Sequence, residues 1–239
     1  MSTTTKAIVL GSLKYGDTSL VVRLYTESHG RITCMVKGVL GRRKSGLRAS
    51  LFVPLTQLDI VAGPVREGRM GYLKEASVSA PYSGISQDIR KGAIALFLSE
   101  VLSEAIREQE SNPELFRYLE TALQFLDSQR QVANFHLRFL IGLSRFLGFY
   151  PDEEGSDLPY FDLNEGAFRP APSLNPMLTG STLQDFRRVL GTKFDAIHEI
   201  TLSQKSRQNL LKALLLYYEI HLQGFRTPKS LTVFDAVFS

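Results

Sequence analysis

The feature that most restricts the fold is a change of hydrophobic period at Pro81-Tyr82-Ser83-Gly84. Before it, apolar residues come in short β-branched runs at 6–14 (KAIVLGSLK), 18–26 (TSLVVRLYT), 29–39, 56–62 (TQLDIVA) and 69–80 (RMGYLKEASVSA). Turn chemistry separates the runs, with Tyr15-Gly16-Asp17, Ser28-His29-Gly30 and Gly63-Pro64 between them. Five short strands and one glycine-rich loop predict a small closed barrel, a frequent platform for nucleic acid.

From Ser86 the spacing is helical. Ile94, Phe97, Leu98, Val101, Leu102 and Ala105 recur at steps of three and four, which is one helix face. Asn112-Pro113 opens a second helix, a cap residue followed by proline at the first position. A third, over about 132–147, is apolar nearly all round, as the central helix of a bundle is. Residues 150–180 are loop-rich, and Tyr160-Phe161-Asp162 with Ala167-Phe168-Arg169 predict a small hairpin there. Helices at 182–190, near 193–199 and over about 203–223 complete the chain. The expected class is α+β: a five-stranded barrel domain over 1–82, then an all-α helical bundle over 83–239 with a loop and hairpin insert at 150–180.

Charge is distributed unevenly. Residues 1–80 hold 12 Lys/Arg against five Asp/Glu, and the remainder holds 16 against 19. Arg31, Lys37, Arg42, Arg43, Lys44 and Arg48 fall in one stretch without an acid, around the glycines of a loop between two strands. Such a loop suits a polyanion, since neutralised phosphates release counterions whatever the base sequence. Charge alone leaves an ordinary solvated hairpin loop open as well. Tyr15, Tyr25 and Phe52 are ambiguous, because an exposed ring among these cations stacks unpaired bases and a buried one is core.

Catalytic constellations are missing. The four histidines show no HExxH or zinc-finger spacing, Leu47 stands where a phosphate-binding loop needs lysine, and no GxSxG occurs. The acids at 152–157 lack the spacing of a calcium loop. Cys34, the single cysteine, reads as a buried inert thiol. The first 16 residues have too short an apolar run for a signal peptide, and no apolar stretch spans a membrane. A cytoplasmic protein without enzymatic activity is expected.

The order YGDTSLVVRLYT, HGRITCMVKGV, GRRKSG, LFVPLTQLDI and YSGI, followed after the third helix by FLGFYPD, resembles the bacterial RecO family of recombination mediators over essentially the whole chain. The resemblance implies an N-terminal OB fold and a helical C-terminal domain. It implies binding to single- and double-stranded DNA, annealing of complementary strands, and cooperation with RecR in loading RecA onto strands coated by single-strand-binding protein (SSB). On that reading the protein is nucleoid-associated, and Arg31, Lys37, Arg42, Arg43, Lys44 and Arg48 match the basic OB surface. FHLRFLIGLSRFLGF resembles the helix that receives the acidic, phenylalanine-ended SSB tail, with Arg138 the matching cation. Arg145, seven positions on, falls near the same face. Many relatives carry four cysteines in the insert; here 150–180 has none, so no zinc or other cofactor is expected and aromatic packing in the hairpin must hold it. An adaptor whose barrel contacts only proteins, an RNA-binding factor, and, last, a nuclease are the competing readings.

Overall fold

The structure is a computed structural model that describes residues 2–41, 47–63 and 70–238. It contains two compact units, Met1–Ser128 and Gln129–Ser239.

In the first unit, strands β1 (Thr3–Tyr15), β2 (Ser19–Thr26), β3 (Gly30–Val36), β4 (Gln57–Ala62) and β5 (Gly71–Ala80) close in the order β1-β2-β3-β5-β4. Only β3 and β5 run parallel. This is the expected five-stranded barrel, of OB type. Closure depends on β1, whose first half pairs with β4 and whose second half continues along β2. A register shift between Val9 and Gly11 lets one strand turn from one neighbour to the other. Alternate residues point inward, so Val9, Val22, Leu24, Cys34, Val36, Leu58 and Ile60 fill the barrel with Phe52. Cys34 is fully buried, and burial pushes its thiol up to about 11.

Helices α1 (Gly84–Gln87), α2 (Ile89–Ala105) and α3 (Pro113–Ser128) belong to the same compact unit, although the hydrophobic period changes at 81–84. They lie against the barrel. The Tyr25 ring stacks on Phe116 at 6.1 Å, the Ser103 hydroxyl donates to the Leu10 carbonyl, and Lys6 pairs with Glu120 at 2.8 Å. Asp88 caps α2 by accepting from the Arg90 amide.

The second unit holds α4 (Phe135–Phe146), the three-stranded sheet of β6 (Tyr160–Asp162), β7 (Ala167–Arg169) and β8 (Met177–Leu178), then α5 (Gly180–Leu190), α6 (Gln204–His221) and α7 (Leu231–Val237). A 3-10 turn, Phe194–Glu199, lies between α5 and α6. Nine of the twelve α4 residues are buried, matching its all-round apolar sequence. The Tyr218 hydroxyl donates to the Leu140 carbonyl of α4 at 2.7 Å. His136 is a core residue, edge-on to Phe234, and burial, helped by nearby Arg207, pushes its pKa down to about 3. Among the described residues no helix is long and apolar enough to cross a membrane.

The insert is held by a carboxylate. Phe161 packs on Phe168 and Phe186 at 4.9 and 4.7 Å, as the hairpin pattern requires. Beside it, buried Asp162 accepts from the amides of Asn164 and Glu165, the Ser173 hydroxyl and the Asn175 side chain. Burial opposes the charged form. The Asn175, Ser173 and Asn164 hydrogen bonds outweigh it and hold the Asp162 pKa below the usual aspartate range. A depressed folded pKa contributes stability above the unfolded value, and that stability is lost as pH falls through the folded one. Asp162→Ala is expected to lower stability at pH 7 by about 3 kcal/mol, with the deficit shrinking below about pH 4. Urea unfolding at both pH values, followed by circular dichroism, checks this.

Candidate nucleic-acid interface

The barrel's outer surface has two halves with different surroundings. One is set by Thr26, Gly30 and Arg31. The Thr26 hydroxyl donates to the Gly30 carbonyl at 2.9 Å and accepts from the His29 amide, which fixes the β2–β3 turn. Gly30 has φ +60°, and a Cβ there would collide with the Glu110 carbonyl. Arg31 then donates from its backbone amide to Glu108 and from Nη1 to the carbonyls of Ser103 and Ile106, each at 3.1 Å. These carbonyls belong to the C-terminal turn of α2, where a cation also meets the negative end of the helix dipole. Burial, then neighbouring Arg23, lowers the Arg31 pKa below the usual guanidinium value. Arg31 is therefore committed to holding α2 on the barrel.

Among the described residues, the other half is open. In register across four strands lie Leu13, Val21, Met35 and Tyr72, with Tyr15 opposite Ser19 at the end of the β1–β2 pair. Leu13, Tyr15 and Tyr72 are 62%, 56% and 52% exposed. The exposed Lys37 amine lies 4.7 Å from the Tyr72 ring centroid. Arg23, opposite Gly11 and Thr33, flanks the row, and its guanidinium passes over Gly11. Of the three ambiguous rings, Tyr15 faces out while Tyr25 and Phe52 are buried.

Arg42, Arg43 and Lys44 lie outside the described residues. The chain reaches them from Gly41, which packs beside Thr18 of the β1–β2 turn, while the Leu40 amide bonds the Thr18 carbonyl at 2.9 Å. Arg48 is exposed, just before the 3-10 turn Ala49–Phe52. A separate cleft of about 460 Å3 runs between Val53, Val78 and Pro81 on one side and Ile85 and Leu96 on the other. No charged described residue lines it, so it does not suit a polyanion.

In the second unit, Arg138 donates from Nε to the Thr192 carbonyl at 2.9 Å, while its buried Nη1 has no hydrogen-bond partner among the described residues. Arg145 is exposed, with its guanidinium 4.2 Å from the Tyr150 ring centroid. Two turns of α4, about 10 Å, separate the two positions on one face. Among the described residues no group of three or more His, Cys, Asp or Glu could hold a metal ion.

Residues 1–82 match the family Recombination protein O N terminal, and residues 86–231 match Recombination protein O C terminal. The chain belongs to the RecO family. A protein of Christiangramia forsetii named DNA repair protein RecO is 48% identical over 234 residues, covering 98% of both chains. One of the same name from Flavobacterium psychrophilum is 40% identical over the full length of both. Another, from Bacteroides fragilis, is 37% identical over 98% of each.

Within this RecO-family chain, Thr26, Gly30 and Arg31 are architectural: each fixes the turn or the helix beside it. Sequence reading missed Arg23 and Tyr72. Strand alternation in RMGYLKE marks Tyr72 as opposite in phase to Leu73, but which phase faces outward depends on the partner strand. Arg31→Ala is expected to destabilise the first unit by about 2 kcal/mol, because two helix carbonyls lose a charged donor. Urea unfolding measures that loss. Oligonucleotide affinity measured where the variant is still folded is expected to stay near wild type.

Proposed function

We propose that this chain is a DNA-binding recombination mediator working in the cytoplasm, without a bond-making step of its own. The open half of the barrel, with Lys37, Arg42, Arg43, Lys44 and Arg48, holds DNA single or double strands through their phosphates. Complementary strands anneal there because their charge is neutralised while their bases remain free. With RecR, the protein helps RecA onto SSB-coated strands. The observation that carries this reading is the uncovered, cation-flanked face of an OB barrel in a RecO-family chain. OB folds use this region of strands and loops for oligonucleotides. The names of the relatives support the repair role.

The test is fluorescence anisotropy of a labelled oligonucleotide across a salt series. Affinity is expected to fall steeply with salt, and the Arg42→Ala, Arg43→Ala, Lys44→Ala triple variant is expected to reduce the log–log slope by about 2. Equal affinity of the triple variant and wild type would remove the loop from the site. Tighter binding to RNA of equal length would favour the RNA-binding reading.

For the helical unit, we propose that Arg138 and Arg145 receive the acidic, phenylalanine-ended SSB tail. Among the described residues the buried Nη1 of Arg138 has no hydrogen-bond partner, so a carboxylate reaching it on a small side-chain shift would satisfy it, and the Nε bond to Thr192 holds the guanidinium nearby. Arg138→Ala is expected to weaken a labelled tail peptide at least about tenfold while leaving oligonucleotide affinity unchanged. A variant that bound the peptide as tightly as wild type would move the site elsewhere.

A further inference from the structure

On the open half of the barrel, apolar groups stand where an antiparallel sheet facing water ordinarily places polar ones. Leu13, Val21, Met35 and Tyr72 are neighbours across β1, β2, β3 and β5, and at about 4.8 Å per strand the row extends about 14 Å. None belongs to the barrel interior, which Leu20, Val22, Cys34, Val36 and Leu73 already fill. Tyr15 adds a second exposed ring next to Leu13, at the end of the strip. Leu13, Tyr15 and Tyr72 are exposed and Val21 and Met35 half-buried between them, and an apolar strip reaching solvent in this way marks a binding surface.

The charges around it identify the occupant. Arg23 flanks the row on the Gly11 and Thr33 side, and Lys37 lies against the Tyr72 ring. Lys74, on the same strand as Tyr72 and two residues on, is exposed and bonded to the Ser2 hydroxyl. At the Tyr15 end, the Thr18 turn abuts Gly41. Described acids near the strip are Asp17 in the turn and Glu75 on β5. Flat rings and aliphatic groups bordered by cations match a polymer that alternates flat apolar faces with anions.

We infer that the strip Tyr72–Met35–Val21–Leu13, with Tyr15, is a stacking bed for the unpaired bases of a single strand. It rests on the nucleic-acid reading above and adds to it which part of the ligand is held. Phosphate neutralisation treats single strands and duplexes alike. A base can lie on Tyr72 only when it has left a duplex stack, so the strip selects single strands. Because contact is through base faces, Watson–Crick edges stay available to a second strand. Sequence preference is weak, since every base has such a face.

The chain contains no tryptophan, so Tyr72→Trp places a single fluorescent reporter in the strip. Its emission is expected to be quenched saturably by oligothymidylate and not by an abasic phosphodiester of the same length. In anisotropy at fixed salt, Tyr72→Ala is expected to weaken oligothymidylate about tenfold, with duplex and abasic affinities within about twofold of wild type. Tyr72→Phe, which keeps the ring, is expected to bind like wild type. If Tyr72→Ala leaves oligothymidylate affinity intact, or weakens abasic and base-bearing strands equally, the stacking bed is wrong while nucleic-acid binding by the barrel stands. If Tyr72→Phe loses as much as Tyr72→Ala, the hydroxyl and not the ring makes the contact, and the proposal fails. If wild type binds no oligonucleotide, both fall, and the strip belongs to a protein partner.

Discussion

In the first unit one guanidinium joins the barrel to the end of a helix. Arg31 leaves the outer face of β3 and ends on the last carbonyls of α2, next to a glycine turn that admits the backbone of Glu110. Through this contact a β hairpin and a helix more than 70 residues apart in sequence share one rigid junction. The arrangement satisfies carbonyls that a helix otherwise leaves to solvent. An arginine in a basic stretch thus serves as a tie between a strand and a helix end.

The division within the barrel is also a division of roles. On the covered side, Tyr25 meets Phe116 and its phenol is pushed up to about 12 by burial, so it is a packing residue. On the open side, side chains of the same strands face water in register. The second unit uses a different device, a buried guanidinium arm held from behind by a backbone carbonyl.

Much of the architecture was legible because it follows from periodicity. The five strands, the all-round apolar α4 and the hairpin around Asn164-Glu165-Gly166 are each dictated by which residues must be buried. The last helix, Leu231–Val237, was not, since LTVFDAV is short, β-branched and without a stop signal, and its formation rests on Phe234 being buried. The 3-10 turn at Ala49–Phe52 was also unread; it forms because Phe52 must reach the barrel core. The candidate site could be read from the sequence as charge and not as geometry. Arg31 and Lys37 look alike in sequence, yet one caps a helix and the other lies on an exposed ring, because β3 passes from under α2 into solvent between them. Tyr72 and Arg23 acquire meaning only through register, which pairs residues from strands separated by loops of unequal length.

The way β1 serves two neighbours has a consequence for synthesis. Thr3 finds its partner only when Ala62 exists, so the front edge of the barrel waits for some sixty residues. At ordinary translation speeds that is a delay of several seconds, during which a β-branched edge is open to any other chain. Lys6 is the lone charge between Thr3 and Leu13, set in the middle of that edge, and it places an ammonium where a foreign strand would have to dock. In the finished fold the same ammonium is drawn to Glu120 on α3, so a residue that guards the nascent chain becomes a tie in the mature one.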